Sequence, residues 1–130
     1  MTTEVQVGEQ TVKLRATGSL PIAYRAMFNR DMLKDMNACR KSLQESLENA
    51  APDDEDAITT AVDLDFMARL SYCMAKSADN AIPKDMAEWL DALESPNALY
   101  ILTGPVFELY GAGFQTTSEA KKNPPPQTDP

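Results

Sequence analysis

Apolar and polar residues alternate over residues 4–17, EVQVGEQTVKLRAT, with Val5, Val7, Val12, Leu14 and Ala16 in phase on either side of Gly8-Glu9. Period-two alternation around a short Gly-containing break predicts a β-hairpin. A lone hairpin is marginal in water, so its apolar face needs a partner layer. From Gly18 onward the period becomes helical, and the helices are the expected partner. Ser19 offers a capping hydroxyl, Pro21 suits a first turn, and Ile22, Ala23, Ala26 and Met27 form the expected apolar stripe of a short helix. After a pause at Asn29, the residues Leu33, Met36, Cys39 or Arg40, Leu43 and Leu47 recur at helical spacing and predict a second helix ending near Glu48.

Residues 49–61, NAAPDDEDAITTA, lose that period and read as an exposed acidic connection. Asp63 is a natural N-cap for a helix with Phe66, Met67, Leu70, Cys73 and Met74 on one face as far as Ser77. Asp79-Asn80 ends it. Ile82-Pro83 is expected to open a further helix, with Met86, Trp89, Leu90 and Leu93 on one side and Asp85, Glu88 and Asp91 on the other. Ser95-Pro96-Asn97 caps a last helix carrying Leu99, Leu102 or Thr103, Val106 and Tyr110 toward Phe114, which Gly104-Pro105 should kink or split. The reading is a mainly α domain over residues 1–114: an N-terminal β-hairpin packed on a bundle of four to five helices. A disordered, Pro-rich C-terminal tail is expected over 115–130.

Length supports one domain, since 130 residues leave no room for a second core. Charge narrows the partners. The chain carries −8 overall, but residues 1–50 balance at +1 whereas residues 51–114 carry −9. A field of that sign repels a phosphate backbone, which argues against nucleic acid; it suits a basic or amphipathic protein partner, although a merely solubilising surface is the commoner reason for such a charge. No apolar run approaches the roughly 18 residues of a membrane span, and MTTEVQV lacks the basic and apolar regions of a signal peptide, so a cytoplasmic protein is expected.

The chemistry open to the chain is restricted. It has no histidine, which removes the commonest general base and the Ser-His and Cys-His dyads. Cys39 and Cys73 stand alone without a CxxC and read as small buried hydrophobes. The acidic run at residues 53–56 lacks the alternating ligands and central Gly of a calcium loop. Asp63 and Asp65 read as helix capping, and Gly104, Gly111 and Gly113 form no phosphate cradle. The methionines read as core filling and Trp89 as a core anchor, with an adaptable groove and an interface hot spot as the functional alternatives. No catalytic, metal or cofactor site is expected, and the residues by themselves go no further than an acidic helical domain with a hairpin and without an active site.

Three stretches carry a resemblance: EVQVGEQTVKLRATGSLPIAYRAMFNRDMLKDM, LSYCMAKSADNAIPKDMAEWLDAL and VFELYGAGFQTTSEAKKN. Together they resemble the tail assembly chaperones of long-tailed bacteriophages and prophages of Gram-positive bacteria, over about residues 3–123. The most telling parts are the hairpin, the run at Arg25, Phe28, Arg30, Asp31 and Met32, the helix Ala87 to Leu93, and the Thr-rich exit into lysines at Thr116 to Lys122. Pro105 and the ending PPPQTDP depart from it. The resemblance implies a protein of the host cytoplasm, absent from the mature virion, that binds and solubilises the tape measure protein and helps recruit major tail tube subunits. It also implies a frameshifted, extended product, with which Lys121-Lys122-Asn123 is compatible. Self-association is a further expectation. The partner-binding surface expected is Asp85, Glu88, Trp89 and Asp91. The competing reading is a small acidic antitoxin or anti-regulator of a basic protein.

Overall fold

The computed structural model describes residues 1–49 and 63–122, with side chains as far as Gly111. Among the described residues the chain folds as a two-stranded antiparallel hairpin, β1 (Thr2–Val7) and β2 (Gln10–Arg15), packed on five helices. These are α1 (Leu20–Phe28), α2 (Met32–Asn49), α3 (Leu64–Ala78), α4 (Met86–Ala92) and α5 (Ala98–Lys122). The acidic connection expected over 49–61 lies outside the described residues except for Asn49, as do residues 123–130 of the expected tail.

The hairpin forms where alternation predicts it, with Val5 opposite Val12 and Thr3 opposite Leu14. Gly8 closes the turn at φ +64° while Glu9 keeps an ordinary φ, the arrangement of a turn whose first central residue is glycine. Val5, Val7, Val12 and Leu14 all face inward and are buried. β2 lies along α3, and β1 along α5.

α3 is the centre of the molecule. All residues from Phe66 to Ala75 are buried apart from the half-buried Arg69, so this helix is covered on every side by β2, α1, α2, α4 and α5. Asp63 caps it as expected, its Oδ1 accepting from the Phe66 amide at 3.1 Å. Ser71, a buried polar side chain at its middle, donates to the Met67 carbonyl one turn back, the usual resolution for a hydroxyl inside a helix.

The expected stripe of α1 is corrected by the structure. Leu20 and Tyr24 are buried, whereas Ile22 is 73% and Met27 41% exposed. The helix is rotated so that Tyr24, with a large ring to bury, packs edge-on against Phe66 of α3 at 6.1 Å. Asn29 ends α1 in the left-handed region, its amide donating to Arg25 O at 2.8 Å. In α2 the buried face is Met32, Met36 and Cys39, while Leu33 is 50% and Leu47 47% exposed and Leu43 is half-buried. The helix meets the core through its first half alone.

α4 starts at Met86, four residues after the expected opening at Ile82-Pro83. Carbonyls of the preceding segment are taken by side chains of α3: Tyr72 donates to Pro83 O at 2.7 Å, and Lys76 to Asn80 O and Ile82 O at 3.2 and 3.3 Å. These bonds hold the segment as a loop. Its far end is tied to the hairpin by Gln10, which donates to Ala92 O and accepts from the Glu94 amide, each at 2.8 Å.

α5 is a single helix through Pro105, so of the kink or split expected at Gly104-Pro105 the split does not occur. Two residues before the proline, Thr103 donates its hydroxyl to Leu99 O, one turn back, at 2.7 Å. Its buried register is Ala98, Leu102, Val106 and Leu109, with Leu99 and Tyr110 half-buried at the margin. The helix continues beyond the boundary expected at Phe114 as far as Lys122. No helix of the described residues is long and apolar enough to cross a membrane.

Candidate protein-interaction surface

The four residues expected to meet a partner are divided by the fold. Glu88 and Asp91 are exposed on α4. Asp85 is exposed too, but it serves as the helix N-cap, its Oδ1 accepting from the Ala87 amide at 3.3 Å. Trp89 is buried, 5% exposed, with its ring 5.6 Å from that of Tyr72. It anchors α4 to α3 and presents no surface to a partner. The acidic face of α4 is therefore Glu88 and Asp91, with Asp85 at its start.

A second surface lies on the opposite side of the chain order, where α1, α2 and α5 meet the end of the hairpin. A groove of about 390 Å³ is lined by Ala16, Leu20, Pro21, Met32, Leu109 and Tyr110, among others, and a neighbouring one of about 350 Å³ by Arg25, Asp31 and Leu33. They share Pro21, Met32 and Tyr110, so they form one continuous trough. Its floor is apolar, and the exposed Leu33 stands at its edge. Arg25 and Asp31, paired at 3.6 Å, give it a polar rim.

The corner between α1 and α2 that shapes this trough is held by a compact polar network. Asp35 accepts from Arg30 Nε at 2.7 Å and Nη2 at 3.0 Å, and from the Tyr24 hydroxyl at 2.7 Å. Arg69 of α3 donates through Nε to the same hydroxyl at 2.7 Å, and its Nη2 lies 3.5 Å from Asp35 Oδ2. The Arg30 hydrogen bonds hold the Asp35 carboxyl below its ordinary value despite the opposing effect of burial, with Tyr24 and Arg69 adding to the shift. Burial pushes the Tyr24 phenol up to about 12, against the Arg69 hydrogen bond and with the Asp35 carboxylate. The Asp35 carboxylate, the Tyr24 hydroxyl and Arg69 Nε are all partnered within the network, which ties three helices together.

Of the four parts on which the resemblance rests, the run from Arg25 to Met32 lies at this corner. Phe28 packs edge-on to Tyr24 at 5.3 Å, Arg30 grips Asp35, Asp31 caps α2 by accepting from the Lys34 amide at 2.9 Å, and Met32 is buried. Protein-family models, curated proteins and solved structures were compared with the chain, and none matches.

The reactive side chains have little chemistry on offer. Cys39 and Cys73 are both buried free thiols; burial raises both, Cys73 to about 12, which leaves the thiolate scarce at neutral pH. Among the described residues no three Cys, Asp or Glu side chains gather as a metal site. Sequence reasoning missed the trough because its lining comes from four separated segments, and it missed Tyr24, Asp35 and Arg69 because their partnership spans 45 residues. The one local signal was Arg30 and Asp35 five residues apart across a helix start.

Proposed function

We propose that this chain is a non-enzymatic chaperone of phage tail assembly, which binds and solubilises the tape measure protein and helps recruit tail tube subunits. The observation that carries the reading is the open apolar trough between α1, α2 and α5 with Leu33 at its edge. An amphipathic helix can lay its apolar face into such a trough, its basic side chains meeting the negative field of the protein. Unassembled tape measure helices are ligands of that kind, and covering them keeps them from aggregating. The text resemblance supports the same reading, since one of its four parts, the run from Arg25 to Met32, builds the α1–α2 corner.

The test is co-expression with the product of the longest open reading frame downstream in its genome, where a tape measure protein is expected, read by solubility and pull-down. The wild-type chain should hold the tape measure soluble. Leu33→Glu, at an exposed position, should lose that activity with an unchanged thermal midpoint. Glu88→Lys with Asp91→Lys tests the α4 face separately. If the tape measure is soluble alone, or Leu33→Glu protects it as well as wild type does, the reading fails. A 1:1 complex with an unrelated basic cytosolic protein would favour the antitoxin class.

A further inference from the structure

The outer edge of β1 is the most unusual surface of the molecule. Met1 and Ala16 exchange both backbone hydrogen bonds, at 2.8 and 3.1 Å, and the register continues with Thr3 opposite Leu14 and Val5 opposite Val12. In an antiparallel ladder such bonded pairs alternate with pairs whose amides and carbonyls point away. The backbone groups of Thr2, Glu4 and Gln6 therefore point outward from the hairpin, and the sheet has no third strand among the described residues. They open into a groove of about 600 Å³ whose other wall is α5, through Pro105, Glu108 and Leu109.

A strand edge facing a helix across an open groove is the geometry in which an extended peptide is taken up as an additional strand. Charge selects the occupant. Glu4 and Glu108 are both exposed on the groove, and the one cation in its lining is the Met1 ammonium, which is held on Ala16 O. A second copy of the chain is disfavoured, because the antiparallel pairing that uses Thr2, Glu4 and Gln6 of both copies sets Glu4 directly against Glu4. A lysine or arginine in that place completes a row in which Lys13 of β2, Glu4 and the incoming cation alternate in sign. Residues to either side of it point the other way, toward Val5 and Leu109, and should be apolar.

We infer that the β1–α5 groove accepts an extended segment of another polypeptide as a third strand, one alternating β-branched residues with lysine or arginine. The groove adjoins the helix-binding trough at Met1 and Leu109, and the inference stands whether or not the trough reading holds, because it rests on the unpaired backbone of β1.

The probe is a blocked hexapeptide alternating valine and lysine, with a twin N-methylated at its lysines, whose amides face β1 when lysine stands opposite Glu4, titrated at low salt into the full chain. Binding is read by fluorescence anisotropy and amide hydrogen exchange. The amides of Thr2, Glu4 and Gln6 should slow on binding, while those of Thr3 and Val5, already in the ladder, should not change. The N-methylated twin should fail to bind. Glu108→Lys and Glu4→Gln should each weaken the peptide, the reversal by about tenfold, as one lost charge contact does. Two variants from separate elements guard against one misfolding. Absence of binding, equal binding of the N-methylated twin, or binding without slowing at those three amides overturns the proposal. So does a concentration-dependent dimer that protects the same amides without peptide, which would place a second copy in the groove.

Discussion

The Tyr24 hydroxyl donates to Asp35 Oδ2 at 2.7 Å while accepting from Arg69 Nε at the same distance, so one oxygen joins α1, α2 and α3. Tyr24 is fully buried and Asp35 nearly so, which makes the network expensive to leave half made. Tyr24→Phe should lower stability by about 1–3 kcal/mol, the range for a buried hydrogen bond to a charged partner. Asp35→Ala should cost more, because it leaves Arg69 largely buried beside no carboxylate. Urea denaturation of the two variants checks the order; equal and negligible losses would show that the network is dispensable.

The same groups set the pH dependence. Asp35 has a depressed value in the folded state, so its contribution is present above the ordinary carboxylate value of 3.8 and is lost as pH falls through the lower folded value. Tyr24 is raised from 10.0 to about 12, so its contribution is whole below pH 10 and lost as pH rises toward 12. Urea midpoints followed against pH should fall at both ends. Asp35→Asn should flatten the acid limb and Tyr24→Phe the alkaline limb, and a delayed phenolate absorbance should accompany the latter in wild type.

Trp89 is a core residue, and its truncation is a stability experiment. Trp89→Ala should cost about 3–5 kcal/mol, in keeping with loss of a large buried aromatic ring. Its fluorescence should be blue-shifted in the folded state and poorly quenched by iodide. A red-shifted, readily quenched emission would contradict the packing of Trp89 on Tyr72.

The Gln10 clamp joins β2 to the end of α4 by two bonds of 2.8 Å. Gln10→Ala should speed hydrogen exchange at the Glu94 amide and lower stability by about 0.5–1.5 kcal/mol, the net worth of ordinary hydrogen bonds. Unchanged exchange at Glu94 would show that Trp89 alone secures the helix.

The two thiols should resist a soluble disulfide reagent in the folded protein and both react in denaturant. Burial is the cause in each, Cys39 on α2 and Cys73 on α3, where its sulfur lies 3.6 Å from that of Met27. Rapid native labelling of Cys73 would show that α1 and α3 part readily.

Several elements were legible because their cause is local. The hairpin follows from alternation, and α3 from its cap at Asp63 and its apolar face. α1 was legible as a helix but not in its facing, since Ile22 and Met27 continue a plausible stripe and only contact with Phe66 turns Tyr24 inward. The start of α4 was misplaced for a similar reason: the side chains that hold residues 80–84 as a loop come from α3, Tyr72 and Lys76. Trp89 was legible as a core anchor from its place on the apolar stripe of α4, which its burial bears out, whereas its grouping with Glu88 and Asp91 on one partner-facing surface does not fit that burial.

By itself the sequence determined a hairpin followed by helices, the excess of negative charge in the second half, and a set of side chains poor in catalytic chemistry. Those properties depend on residue types and on periods of two and of three to four, which are properties of neighbours in the chain. Tertiary structure decided which side of each helix is covered, which groups share Asp35, and where grooves open along α5. Each of these depends on residues far apart in sequence meeting in space, and no local period encodes such a meeting.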